Sequence, residues 1–178
     1  MDSLEFVAVH SPAQCDRVVA LARSIWQHHY PSIIGQAQVD YMLDRFQSLE
    51  AIQAQIAQGM AYYLIQFGEE PVGYFALDRQ PQAWFLSKLY VEPAFQRQGI
   101  GSQTIGFIET LTSPLPLRLV VNKHNGNSLK FYQAQGFEIV GAEVKDIGNG
   151  FAMNDFVMER QPQDQVSNDQ VSNDRVFS

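Results

Sequence analysis

Residues 91–111 read VEPAFQRQGIGSQTIGFIETL. Gly99 and Gly101 sit between a basic, amide-rich turn and an apolar run with helical spacing: Ile100, Thr104, Phe107, Ile108 and Leu111. The turn therefore opens a helix. The first amides of a helix lack internal partners, and the helix dipole leaves partial positive charge beside them. Glycines let a ligand approach that backbone with no Cβ in the way. The pattern predicts an anion site that a pyrophosphate would fit. The plainer alternative is a tight strand-to-helix turn with no ligand. Two nucleotide loops are excluded. A Walker A loop needs Lys and Ser/Thr after its last glycine, whereas Gly101 is followed by Ser102 and Gln103. A dinucleotide fingerprint needs its third glycine three residues after the second, whereas the next glycine here is Gly106.

A second chemical motif lies downstream, in NKHNGNSLKFYQAQGF, residues 122–137. Asn127 opens a helical pattern, Tyr132 falls five residues on, and Gly136 and Phe137 end it. A phenol on such a helix can donate a proton or a hydrogen bond to a leaving group, or can simply pack beside Phe131. Around HHYP, His28, His29 and Tyr30 gather imidazole and phenol groups near a helix end. They suit either contact with a ligand or a favourable dipole contact. Four scattered His and one Cys offer no metal-ligand spacing, so no metal is expected.

The elements that would position these groups follow from periodicity. LEFVAV alternates as a strand. A helix begins with Ser11 as N-cap and Pro12 at its first position, and places Cys15 in an apolar stripe with Val18, Val19, Ala22, Ile25 and Trp26. A second helical pattern runs from Val39 through Ile56, with Gly59 as C-cap. MAYYLIQF and PVGYFALD form a hairpin about GEE, and AWFLSKLYV is the next strand, ended by Pro93. LRLVV is a strand before the second motif. FEIVGAEV and GFAMNDFVMER close the series about the turn IGNG. This order predicts an α/β fold with a mixed, hairpin-rich sheet and helices on its faces.

The two glycine- and asparagine-led motifs, in this order and spacing, resemble the Q/R-x-x-G-x-G/A loop and the N-x-x-S/A-x-x-F-Y-x-x-x-G-F segment of the GNAT superfamily of N-acetyltransferases. With LYVEP they span Leu89 to Phe137, and FAMNDFVMER is similar to that family's closing strand. The resemblance implies a twisted, mostly antiparallel sheet of about seven strands, splayed between the fourth and fifth. It implies acetyl-CoA as co-substrate and transfer of its acetyl group to a primary amine of a small molecule or peptide. Carried onto these residues, the amides of Gln96, Arg97, Gln98, Gly99, Ile100, Gly101 and Ser102 would surround the pyrophosphate. Arg97 and Lys130 would add positive charge. Backbone groups of Leu89, Tyr90 and Val91 would meet the pantetheine arm and the acetyl oxygen. Asn127 would bond the arm, unless it only caps its helix, and Tyr132 would protonate the departing thiolate. His28, His29 and Tyr30 fall where that family builds its acceptor site. Attack would be direct, since Cys15 lies far from both motifs. Glu92, Lys88 and His124 leave the identity of the base open. A homodimer would suit the family. A non-catalytic acyl-CoA sensor or interaction module is the alternative.

Composition sets the outer bounds. A chain of 178 residues, 46% hydrophobic and 17% charged, suits one domain with its own core. One cysteine rules out an internal disulfide. The net charge of −7 disfavours nucleic acid, which needs a basic face. No apolar run approaches the ~18 residues of a membrane span, and MDSLEFVAVH lacks a signal-peptide pattern, so a soluble cytoplasmic protein is expected. The folded domain is expected over residues 1–160. Residues 161–178 repeat DQVSN and are too polar to fold alone, so they read as a disordered tail.

Overall fold

The computed structural model describes residues 3–162, so nearly all of the repeat tail lies outside the described residues. Seven strands form one sheet: β1 (Leu4–Ala8), β2 (Ala61–Phe67), β3 (Glu70–Arg79), β4 (Trp84–Val91), β5 (Leu117–Asn122), β6 (Glu138–Gly148) and β7 (Phe151–Arg160). Their spatial order is β1-β2-β3-β4-β5-β7-β6. Every neighbouring pair is antiparallel except β4 and β5, which run parallel. The expected splay between the fourth and fifth strands is present. Only Trp84↔Leu117 and Phe85↔Arg118 stay in register before the two strands part.

Helices cover both faces. α1 (Pro12–His29), α2 (Pro31–Ile34), α3 (Gln36–Phe46) and α4 (Leu49–Ala57) lie on one side. There Val18, Ile25, Trp26, Val39 and Ile52 pack on Tyr62, Leu64 and Tyr74. α5 (Ile100–Thr112) and α6 (Gly126–Ala134) lie on the other, with Ile105 and Ile108 against Phe75, Leu86, Leu119 and Met158. Burial of such side chains contributes roughly 1.5–3 kcal/mol each relative to exposure. Cys15 belongs to the first core, as its stripe predicts.

Local chemistry explains the element ends. Ser11 and Gln14 form a reciprocal capping box at α1, with Ser11 Oγ accepting from the Gln14 amide at 3.2 Å. Asn149 and Gly150, both at positive φ, make the hairpin turn between β6 and β7. Two expectations are refined. The helical pattern from Val39 to Ile56 is two helices, because Ser48 caps a new one by accepting from the Ala51 amide. At that break Gln47 is buried and joins two tyrosines, accepting from Tyr74 Oη at 2.7 Å and donating to Tyr62 Oη at 3.2 Å. A buried amide must find such partners, and hydrophobic periodicity does not register them. The apolar face of α5 also sits slightly off the expected stripe. Ile105 and Thr112 are buried while Leu111 is exposed, and Phe107 stacks on Phe6 with centroids 4.4 Å apart.

Candidate active site

The cleft begins where the sheet opens. β4 carries one extra residue, Ser87, against β3: Ala76 pairs with Lys88 and Leu77 with Leu86. Such a bulge bends its strand and increases the local twist. Beyond it, β4 and β5 diverge, so their facing edges have no ladder partner there. Between them lies a cleft of about 910 Å³ that reaches from the start of α5 to α1 and β7.

One end of the cleft is backbone. The amides of Ile100, Gly101 and Ser102 start α5, and its first bond comes only at Gln103, which donates to the Gly99 carbonyl at 3.0 Å. Among the described residues those three amides have no protein acceptor. The loop reaches them through two left-handed residues, Arg97 (φ 63) and Gly99 (φ 82). Gly99 needs glycine for its conformation. Gly101 needs it for space, because a Cβ there would stand 2.8 Å from Phe131 Cζ on α6. The helices are tied again at Ser102, whose Oγ accepts from Gln135 Nε2 at 2.8 Å. Gln96, Arg97, Gly99, Ile100, Gly101 and Ser102 all line the cleft; Gln98 does not, and donates instead to the Ala94 carbonyl at 3.3 Å. Leu89, Tyr90 and Val91 line it from β4, where the Val91 carbonyl accepts from Gln96 Nε2 at 2.9 Å.

α6 forms the opposite wall. Its cap is Asn125, not Asn127: Asn125 Oδ1 accepts from the Ser128 amide at 3.4 Å. Asn127 is thereby left exposed in the first turn of α6, on the cleft with Lys130. Tyr132 packs its ring on Phe131 and Phe137, with centroids 5.1 and 5.4 Å away. Burial pushes its phenol well above the usual tyrosine range, with the Tyr30 side chain acting in the same direction. It therefore stays protonated at neutral pH.

The other end of the cleft is side chains. Tyr30 at the end of α1 shares a hydrogen bond of 2.9 Å with Tyr90 of β4. Burial pushes the Tyr30 phenol up to about 12, although the Tyr90 hydroxyl opposes the shift. His29 also lines the cleft, and burial pulls its imidazole below the usual histidine range, with the Asn125 side chain acting the other way. His28 is exposed and outside the lining. Of the residues weighed as bases, Glu92 is engaged by Ser24, which donates to its Oε2 at 3.1 Å, and His124 is an exposed turn residue. Lys88 is in the cleft, its Nζ donating to Ser87 Oγ at 2.9 Å. Burial draws that ammonium down to about 8, helped by Lys145.

Sequence reasoning missed Asp155. It sits on β7 between Asn122 of β5 and Glu143 of β6, is 2% exposed, and its Oδ1 has no partner among the described residues. Burial, and Glu143 after it, push the Asp155 carboxyl up to about 6, while Lys145 opposes them. The available signal was the alternation Phe151, Met153, Asp155, which puts a carboxylate where an apolar residue is due.

Residues 33–159 match the family model described as an acetyltransferase (GNAT) domain. The chain belongs to the GNAT acetyltransferase family. Solved structures share this GNAT fold at low identity. A PaiA N-acetyltransferase from Thermoplasma acidophilum, in complex with coenzyme A, is 20% identical with a TM-score of 0.75, over 89% of this chain and 99% of that one. The ribosomal-protein-S18-alanine N-acetyltransferase from Escherichia coli is 13% identical with a TM-score of 0.65, over 90% and 95%. A spermidine N-acetyltransferase SpeG chimera from Vibrio cholerae and hSSAT is 15% identical with a TM-score of 0.66, over 89% and 95%. No curated protein matches the sequence. Among the described residues no group of His, Cys, Asp or Glu could hold a metal ion, and no helix is long and apolar enough to cross a membrane.

Proposed function

We propose that this GNAT domain moves the acetyl group of acetyl-CoA to a primary amine by direct attack within a ternary complex. The observation that carries the reading is the row of unpartnered amides at the start of α5, opening onto the same splayed cleft as the Tyr132 hydroxyl. Those amides and the α5 dipole suit the pyrophosphate, with Arg97 adding a charge-assisted contact. Lys130 contributes positive potential, which an anionic ligand needs in a chain of net charge −7. Asn127 and the free edge of Leu89–Val91 suit the amides of the pantetheine arm. Bound there, acetyl-CoA supplies an activated thioester.

The chain's residues then have three tasks. A backbone N–H on the open edge of β4 stabilises the negative charge that builds on the acetyl oxygen. The acceptor nitrogen forms its C–N bond as the C–S bond breaks. Tyr132, kept protonated by its surroundings, donates to the departing sulfur and regains a proton from solvent. The amine enters as an ammonium and must lose a proton before attack. Asp155 is the carboxylate with a vacant lone pair on the acceptor side of the cleft. His29 and Tyr30 would line the acceptor's path.

Calorimetry with acetyl-CoA, followed by a thiol-release assay over a panel of amines, tests the reading. Binding followed by amine-dependent CoA release supports it. Binding with no release from any amine would favour an acyl-CoA sensor.

A further inference from the structure

The proposed acceptor side of the cleft holds charges of both signs that have no ion-pair partner among the described residues. On β7, Asp155 is almost wholly buried with Oδ1 unpartnered. A buried carboxylate in that condition is costly unless a cation or donor completes it. Glu143 faces it in register from β6, and both line the cleft together with Tyr30. On the opposite side of the splay, Lys88 projects from β4 on the same face as Tyr90. Among the described residues its ammonium is held only by the hydroxyl and carbonyl of Ser87, and no carboxylate pairs with it. Lys145, two residues beyond Glu143 on β6, lines the same cavity and is also outside the ion pairs. Within one cleft, then, among the described residues, a buried carboxylate oxygen has no bonded donor and an ammonium has no bonded carboxylate.

We propose that the acceptor is an amine that carries its own carboxylate, its ammonium docking at Asp155 and Tyr30 and its carboxylate at Lys88 and Lys145. This rests on the acetyltransferase reading above and names the substrate class of that site. Each end of such a molecule supplies the partner that one wall lacks. The same walls reject polyamines, because a chain bearing several cations would press them against Lys88 and Lys145. Discrimination here comes from repulsion as much as from attraction.

The test compares matched amines with the purified full chain, reading CoA thiol release. Amino acids, β-alanine and 4-aminobutyrate are each set against their own amides, with putrescine and spermidine alongside. At least one acid is expected to exceed its amide by about tenfold or more in kcat/KM, the size of effect of one charge-assisted contact, and to exceed both polyamines. Lys88→Met should narrow that ratio toward one, chiefly by raising KM for the acid. Lys145→Met, at an exposed position, gives a second reading should Lys88→Met fail to fold. An amide as good as its acid, or a polyamine as the better substrate, would overturn the proposal. So would an absence of acetylation across the acids in a preparation that binds acetyl-CoA. Failure of acetyl-CoA itself to bind would overturn the acetyltransferase reading instead.

Discussion

The two ends of the cleft are made of different material. At the α5 end the proposed working groups are backbone amides, fixed by a left-handed Gly99 and by the packing of Phe131 under Gly101. At the α1 and β7 end the proposed working groups are side chains, half-buried Tyr30, Tyr90 and Lys88 and buried Asp155, brought from three places: the end of α1, β4 and β7. Backbone recognition depends on conformation, and side-chain recognition on identity. A substitution should therefore affect binding of acetyl-CoA at one end and choice or turnover of the amine at the other, with Tyr132 between them.

The largest separation is expected from Tyr132→Phe. The ring keeps its contacts with Phe131 and Phe137, so acetyl-CoA affinity by calorimetry should hold. Loss of the hydroxyl should cut kcat about 100-fold or more, within the usual range for a general acid. Unchanged turnover would reduce Tyr132 to a packing residue. Next comes Gly99→Asp, which strains a left-handed position and sets a carboxylate at the helix start. Acetyl-CoA Kd should rise about tenfold or more, and an unaltered Kd would break the cradle assignment. Gly101→Ala sharpens the distinction between the two glycines. Its Cβ meets the Phe131 ring, which can turn to relieve part of the contact. A stability loss near the low end of the ~1–3 kcal/mol for overpacking is expected in urea unfolding, with a smaller change in Kd than Gly99→Asp.

That contrast also explains what the sequence reveals. The geometry of the proposed phosphate end is legible because a backbone site needs glycines at fixed spacing ahead of an apolar helix, and those leave a pattern within a dozen residues. The succession of strands along the chain follows for the same reason, from local alternation and turns such as Asn149-Gly150. The proposed acceptor end is assembled from Tyr30, Lys88, Glu143 and Asp155, which lie far apart in the chain. The alternation Phe151, Met153, Asp155 sets Asp155 on an apolar face, but the depth of its burial depends on which strands flank β7. The α6 cap shows the same limit at short range. NKHNGN offers three asparagines, and only the geometry selects Asn125 over Asn127.

The smallest expected effect concerns the cost of keeping the acceptor end unsatisfied. Burial, then Glu143, raise the Asp155 carboxyl from its ordinary 3.8 to about 6, with Lys145 opposing. The folded protein thus holds this proton over a pH range in which the unfolded chain has released it. Its contribution to stability is complete below the unfolded value and is lost as pH rises through about 6. Asp155→Asn removes that titration. The stability of the wild type relative to Asp155→Asn should therefore fall between pH 4 and 7, as measured by urea unfolding at each pH. Tyr30 also faces Asp155 but stays protonated throughout this range. Glu143 is the neighbouring charge that raises the Asp155 value after burial, so Glu143→Gln is the control: it should reduce the slope without abolishing it. A flat difference across the range would mean that Asp155 is already satisfied in solution, and the two ends of the cleft would then be less unlike than their structures indicate.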